Sequence, residues 1–266
     1  MPTPERHPSA LTVAGSDSGG GAGIQADLRT FALHGIHGAS AVTGITAQNT
    51  QGVREIHPIP TAMVRAQCDA VFDDLHITAV KTGMLGEPAL IATVAKALAE
   101  QAAFVLVDPV MVATSGDRLL PEASITALKE MLLPSADLIT PNYPEAALLL
   151  DWPPSQVRDE PEAAARTLAQ QTNAAVLLKG GHDARRADDI LYRDGRTETF
   201  PGSRIDTPHT HGTGCHFAAA ITARLVRGVA LPAAIRGAKQ WLAMALAQAH
   251  VIGRGTSPPW PPTARD

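Results

Sequence analysis

The chain predicts an α/β fold, a mostly parallel sheet covered by helices on both faces. Three observations carry this prediction. Short apolar strands alternate with amphipathic helical segments along nearly the whole length. Gly15, Gly83, Asp108, Thr140 and Lys179 each fall at or just beyond a strand end. The 266 residues, 45% hydrophobic and 18% charged, suffice for one large domain with a core of useful size. Ligands of such sheets sit beyond the carboxyl ends of the strands. Those five positions are therefore expected to meet on one edge, although they are scattered in sequence.

Residues 10–15 (ALTVAG) read as a buried strand that runs into a glycine loop over 16–23. Ile24, Leu28 and Phe31 then recur at helical spacing, and the helix ends near Gly35. Residues 39–47 are rich in small and β-branched side chains and read as a strand. Residues 53–59 alternate apolar and polar positions and pair with it as a hairpin. Thr61 is placed to cap a helix carrying Met63, Val64 and Val71. Residues 79–82 form a strand, Pro88 opens a helix, and FVLV at 104–107 is a strand ending at Asp108-Pro109. Residues 123–133 are helical, 137–140 a short strand and 144–150 a helix. The proline-rich stretch 151–159 reads as a surface loop. A helix over 162–171, a buried strand over 174–178 and a hairpin around Asp194-Gly195 follow. Helices over 214–227 and 232–251 close the chain. No repeat or linker divides it, so 1–266 is read as one domain with frayed tails over 1–9 and 256–266.

Composition excludes several function classes. The formal charge of −4 gives no broad basic face, so neither nucleic acid nor acidic lipid is an expected partner. The 4% aromatic content argues against base-stacking platforms. Two cysteines, Cys68 and Cys215, make no disulfide framework, and a reducing, cytoplasmic setting is expected. No run approaches the roughly 18 apolar residues of a membrane span. The histidines lack zinc spacing.

The chemistry concentrates in a few short stretches. His211-Gly212-Thr213-Gly214-Cys215 precedes an apolar helical pattern at Phe217, Ile221 and Leu225. Free N–H groups and the macrodipole make such a helix start an anion site. Cys215 there has two readings, inert packing or a proton acceptor with a lowered pKa. The loop from Gly15 to Gly23 holds five glycines in nine residues, either a flexible turn or close approach of backbone to a ligand. It matches neither the Walker pattern nor the dinucleotide fingerprint. Asp27 complements the helix dipole or forms a polar wall. Asn142 and Glu145 have the spacing of a capping box, and that spacing favours the cap over a magnesium role. Lys179 is a solvated strand end or a triphosphate contact, and Lys81 carries the same ambiguity. Gln48 belongs to a polar turn or offers an amide to a heteroaromatic ring edge.

Seven stretches stand in order: Gly15-Ser16-Asp17-Ser18-Gly19-Gly20-Gly21-Ala22-Gly23 running on to Asp27, Ala47-Gln48-Asn49-Thr50, Lys81-Thr82-Gly83-Met84, Asp108-Pro109-Val110-Met111 running on to Gly116, Thr140-Pro141-Asn142-Tyr143-Pro144-Glu145, Lys179-Gly180-Gly181-His182 and His211-Gly212-Thr213-Gly214-Cys215. Together they strongly resemble the bacterial hydroxymethylpyrimidine/phosphomethylpyrimidine kinases of thiamine biosynthesis, in the ribokinase-like superfamily. The resemblance implies a three-layer fold with a small β flap. It implies ATP-dependent phosphorylation of 4-amino-5-hydroxymethyl-2-methylpyrimidine and then of its monophosphate, with Mg2+. Gln48 would hydrogen-bond the pyrimidine, and Gly15, Ala22, Asp27, Thr46, Met84 and Val110 would line its pocket. Gly212, Thr213 and Gly214 would form the anion hole. Cys215 stands where ribokinase relatives usually have an aspartate base. Lys179 would meet the ATP phosphates, while Asn142 and Glu145 would serve the magnesium region indirectly. A homodimer through the 39–59 strand region is also implied. His216 and Thr46 depart from the pattern, standing where a small hydroxyl residue and an often aliphatic residue are usual. The alternatives are a pyridoxal kinase of the same fold and a catalytically silent pyrimidine-binding regulator.

Overall fold

The structure is a computed structural model describing residues 7–111, 120–181 and 187–261. In chain order it runs β1 (Ser9–Asp17), α1 (Gly23–Leu33), β2 (His37–Asn49), β3 (Gly52–Pro58), α2 (Thr61–Asp74), β4 (Ile77–Thr82), α3 (Pro88–Ala99) and β5 (Phe104–Val107). Then come α4 (Glu122–Ala127), β6 (Leu138–Ile139), α5 (Tyr143–Leu150), α6 (Pro154–Asp159), α7 (Pro161–Thr172) and β7 (Ala175–Leu178). The hairpin β8 (Asp189–Arg193) and β9 (Arg196–Phe200) leads to α8 (Thr213–Val226) and α9 (Leu231–Ala247).

Among the described residues the strands form one sheet in the order β3-β2-β1-β4-β5-β6-β7-β8-β9. The run from β2 to β7 is parallel. β3 turns back antiparallel on the far half of β2, and β8 and β9 add antiparallel strands at the opposite edge. Alternation along each strand sends residues to two cores. Val105 and Val107 join Val94, Leu98, Ile139 and Leu168 on the face covered by α3, α5 and α7. Leu106 instead joins Phe217, Ile221, Ile235 and Trp241 under α8 and α9. Sheet and two helical layers are the expected three-layer α/β arrangement, and the β2–β3 ribbon is the small β flap.

Four local expectations are corrected. Pro60, not Thr61, stands at the N-cap of α2, which has no side-chain cap. Residues 151–159 are not all loop, because α6 forms there with Pro154 at its first position, where a missing N–H is tolerated. The helix expected over 123–133 widens from α4 into a π turn at Leu128–Leu132 and then tightens into a 3-10 turn at Leu133–Ser135 containing Pro134. The tail is tied down as far as Pro261. Thr256 N–H donates to the Thr50 carbonyl (2.8 Å), Trp260 N–H donates to that of Ala245 (2.9 Å), and Ser257 is fully buried. Ser9, at the other end, already belongs to β1.

Candidate active site

The glycine loop after β1 carries its own anion. Asp17 accepts N–H bonds from Gly19 (2.8 Å), Gly21 (3.1 Å) and Ala22 (2.9 Å), and its Oδ2 lies 2.9 Å from His211 Nε2. Burial works against the Asp17 charge, but the His211 and backbone bonds outweigh it and hold the carboxyl below its usual range. Those loop amides therefore face inward to Asp17 rather than toward a ligand. The glycines bring backbone against backbone. At Gly23 a side chain would begin 2.2 Å from the Gly15 carbonyl oxygen, and at Gly212 2.0 Å from that of Gly21. Gly212 also has φ 71°, which disfavours any L side chain. The two loops thus interlock at the carboxyl edge of the sheet, next to the start of α8.

Two buried charge clusters flank that helix start. In the first, Lys81 and Asp27 are both fully buried, with Nζ 2.9 Å from Oδ2, and Thr12 donates to the same oxygen at 2.6 Å. Asp27 Oδ1 has no partner among the described residues. Burial raises the Asp27 pKa against the pull of Lys81. Burial opposes the Lys81 charge, yet Asp27 and its neighbours outweigh it and raise that pKa as well. The Asp27 carboxylate is thus a structural partner of Lys81, neither a surface dipole complement nor a free solvated group.

The second cluster joins β5, β6, α5 and β7. Lys179 Nζ lies 2.7 Å from Asp108 Oδ1 and 4.0 Å from Glu145 Oε2, and Thr140 donates to Asp108 at 2.9 Å. Burial pulls the Asp108 carboxyl up, but Lys179 and Lys81 overcome this and hold it low. Burial likewise opposes the Lys179 ammonium, and Asp108 with Glu145 more than restores it. Glu145 is pushed up to about 7 by burial, with Lys179 opposing and Asp108 adding. Asn142 and Glu145 form a complete capping box of α5, with bonds of 2.8 and 2.9 Å. A side chain at Gly214 would begin 3.5 Å from Lys179 Nζ and 3.6 Å from Asp108 Oδ2. This cluster therefore abuts the first turn of α8.

Between the clusters sits Cys215. Burial pushes its thiol up to about 11, with Lys81 opposing. This corrects the expectation of a lowered pKa: enclosure outweighs the favourable field of the helix starts. In the expected anion hole the Thr213 N–H is spent on the Thr210 carbonyl (3.2 Å). The N–H groups of Gly212, Gly214 and Cys215 have no partner among the described residues.

The expected ring pocket gathers on the same edge. Gly15 packs on Met84, whose Cε a side chain there would meet at 2.7 Å. Thr46 donates to the Ser16 carbonyl (3.0 Å), and Gln48 Nε2 lies 3.4 Å from His211 Nε2. Gln48 and Cys215 are thus joined through one loop. Ala22 lies against Gly212. Val110 is half-buried one turn beyond β5, its N–H donating to the Asp108 carbonyl (2.8 Å). A cleft of about 370 Å³ opens beside Gly19, between Asn49–Gln51 and Ile252–Arg254. Neither Cys215 nor Lys179 lines it. Residues 112–116 and His182 of the quoted stretches lie outside the described residues. The sequence assigned no role to Asp17 or His211, and marked Asp108 and Thr140 only as strand ends. The signal available was position: Asp17 and His211 stand in glycine loops, and Asp108 and Thr140 follow strand ends directly before a proline.

Among the described residues no group of three or more His, Cys, Asp or Glu is arranged to hold a metal ion. The capping box occupies Asn142 Oδ1 and Glu145 Oε2, which leaves this pair suited to a contact through water. No helix of the described residues is long and apolar enough to cross a membrane.

Comparison with known proteins agrees with this geometry. The chain is 46% identical over 255 residues to the hydroxymethylpyrimidine/phosphomethylpyrimidine kinase of Haemophilus influenzae, covering 93% of this chain and 94% of that protein. It is 47% identical over 254 residues to the thiamine biosynthesis bifunctional protein ThiED of Geobacter sulfurreducens, covering 94% of this chain and 51% of that protein. Among solved structures, an ADP complex of Bacillus subtilis pyridoxal kinase superposes with a TM-score of 0.88 at 36% identity, covering 96% of this chain and 97% of that one. The sequence profile described as phosphomethylpyrimidine kinase matches residues 17–260, and the chain belongs to that family.

Proposed function

We propose that this chain transfers a phosphoryl group from ATP to the hydroxymethyl oxygen of 4-amino-5-hydroxymethyl-2-methylpyrimidine, and then a second one to the monophosphate, in thiamine biosynthesis. One observation carries the reading: Gln48 touches His211, and three residues later Gly214 abuts Lys179 and Asp108. A ring-reading amide and a phosphate cradle therefore share one loop. Phosphoryl transfer needs alignment and charge stabilisation above all.

ATP supplies the phosphoryl group, and Mg2+, when bound, would screen its charge. The remaining work falls to side chains and backbone. Gln48 orients the ring, while Gly15, Ala22, Thr46, Met84 and Val110 enclose it and Asp27 braces the floor through Lys81. The free amides of Gly212, Gly214 and Cys215 stabilise the transferring group's negative charge. Lys179 releases part of its bond to Asp108 to meet the phosphates. Asn142 and Glu145 would hold the ion indirectly, through water. As the new O–P bond forms and the bond from the γ-phosphorus to ADP breaks, ADP leaves and the hydroxymethyl proton passes to the Cys215 thiolate when that form is present. The monophosphate acceptor is already ionised and has no such proton to lose.

The pyridoxal kinase alternative draws on the fold likeness, but the higher identity lies with the pyrimidine kinases. A silent regulator would have no need of the retained Lys179 and cradle. The chain works as one cytoplasmic domain and pairs with a second copy through the β2–β3 ribbon, where Ile45 and Ile56 are exposed. Light scattering on the purified protein checks the dimer. The activity is tested by incubating the protein with Mg-ATP and either the aminopyrimidine alcohol or pyridoxal, then weighing the products. A diphosphate from the aminopyrimidine is expected, and a monophosphate from pyridoxal alone refutes the reading.

A further inference from the structure

The side chain of Gln48 is gripped at both ends of its amide. Thr46 Oγ1 lies 3.0 Å from one end and His211 Nε2 lies 3.4 Å from the other. Which end is oxygen follows from the hydrogen-bond inventory, because amide oxygen and nitrogen are otherwise interchangeable. Asp17 Oδ2 already accepts from Gly21 and Ala22, so its 2.9 Å contact with His211 Nε2 requires the imidazole to be the donor. A nitrogen that carries that proton has no lone pair to offer Gln48. An NH2 group facing it sets donor against donor. At the other end, Thr46 has one hydroxyl proton, and the Ser16 carbonyl 3.0 Å away can only accept. The hydroxyl therefore has lone pairs, not a second proton, for Gln48.

We propose that the Gln48 amide stands with its oxygen toward His211 and its NH2 toward Thr46, and that Thr46 and the Asp17–His211 pair, as positioning residues, select the ring by fixing this order. Every donor then meets an acceptor: Gln48 NH2 to Thr46 Oγ1, Thr46 hydroxyl to the Ser16 carbonyl, and His211 Nε2–H to Asp17 and, more distantly, to the amide oxygen. One N–H and one oxygen lone pair of Gln48 remain for a ligand, in a set order. That pair complements a ring edge bearing an amino group beside a ring nitrogen. It does not complement a pyridine whose hydroxyl has ionised. A glutamine free to flip would accept either order. Thr46, where the family pattern is often aliphatic, is thus a specificity residue in this chain. His211 is further fixed by its backbone N–H, which donates to the Ser257 carbonyl at 3.2 Å, so the folded tail steadies the same grip.

This inference rests on the proposed activity for its substrate and on geometry for the amide, and the two are tested apart. In isotope-labelled full-length protein, with the Gln48 signal identified by its loss in Gln48→Glu, the side-chain NH2 protons should show stronger nuclear Overhauser contact to the Thr46 methyl than to the His211 ring. The reverse ranking overturns the proposal whatever the enzyme phosphorylates. In kinetics, Thr46→Val should raise KM for the aminopyrimidine alcohol about five- to tenfold, the worth of one hydrogen bond, with kcat and the KM for ATP held within about twofold. Its preference over pyridoxal should shrink, and Thr46→Ser should restore both. Wild-type values in Thr46→Val, or equal losses in Thr46→Val and Thr46→Ser, overturn the proposal. A wild-type enzyme that phosphorylates pyridoxal alone refutes the activity reading instead, and the Overhauser ranking still decides the amide.

Discussion

Replacing Cys215 with alanine tests how much a half-buried thiol contributes as a base. Its pKa of about 11 sets the scale. At about pH 7.5 the thiolate fraction is then roughly 3 in 10,000, from the three-and-a-half-unit gap. A well-placed general base accelerates proton transfer by about 10²–10⁴. The product of those two factors lies near one, so the thiolate route only rivals the uncatalysed proton loss near neutral pH. Cys215→Ala should therefore lower the alcohol step less than about tenfold at pH 7.5, with the deficit growing about tenfold per unit toward pH 9 as the wild type gains thiolate. Transfer to the monophosphate, whose acceptor is ionised, should stay within about threefold of wild type throughout this range.

The assay follows each transfer separately, by supplying the alcohol or the monophosphate with Mg-ATP and quantifying products by mass. Ultraviolet thiolate titration in a Cys68→Ser background reports the pKa directly, since burial also pushes Cys68 up to about 11. A flat wild-type profile, with Cys215→Ala down by more than about 10³ on the alcohol step at pH 7.5, would mean a thiolate already formed at neutral pH. Enclosure would then not dominate the environment of this sulfur.

Lys81→Met leaves Asp27 fully buried with only Thr12 for company, and should destabilise the protein by about 3–5 kcal/mol in urea unfolding. The Asp27→Asn/Lys81→Met pair should recover part of that loss, and a single-variant effect under about 1 kcal/mol would show that the pair is not the buried ion pair described. Gly212→Ala forces an L residue to a positive φ against the Gly21 carbonyl. A loss of at least about 1–3 kcal/mol is expected, read as a lowered Tm together with lost turnover, and an unchanged Tm would contradict the loop interlock. Folded Glu145 keeps its proton to about pH 7, while the unfolded chain releases it near the ordinary value of 4.5, so the folded state loses ground as pH rises through that window. Glu145→Gln keeps the capping geometry without the charge. It should therefore gain stability relative to wild type at about pH 8 and show little gain below about pH 5, and denaturation midpoints that shift equally at both pH values would refute this.

The division between what the sequence disclosed and what it withheld follows the range of the forces involved. Strand and helix identity depends on near neighbours, so β1, β4, β5 and β7 were legible from apolar runs, and the β8–β9 turn from Asp194-Gly195, both of which adopt positive φ. The sheet edge was legible too, because parallel strands force their carboxyl ends together and so bring Gly15, Asp108 and Lys179 to one side. Pairings across long separations were not legible. Asp27 and Lys81 stand 54 residues apart, Asp108 and Lys179 71 apart, and Asp17 and His211 194 apart. Nothing local distinguishes Asp27, a carboxylate near a helix start, from one that faces water until Lys81 arrives from β4. The same blindness explains the Cys215 expectation. The helix start that favours a thiolate is visible in four residues, whereas the partial burial that disfavours it arrives with distant neighbours such as Asp27 from α1 and Asp108 beyond β5. A site built from interlocked loops is thus announced by its glycines, while its protonation states are set by partners that only the fold brings in. Asp17 shows the consequence most directly: the sequence offered a row of loop amides for a ligand, and the fold spends three of them on one of the loop's own carboxylates. The next helix start, by contrast, keeps the N–H groups of Gly212, Gly214 and Cys215 without a partner among the described residues, which suits it to the anion-binding role proposed above.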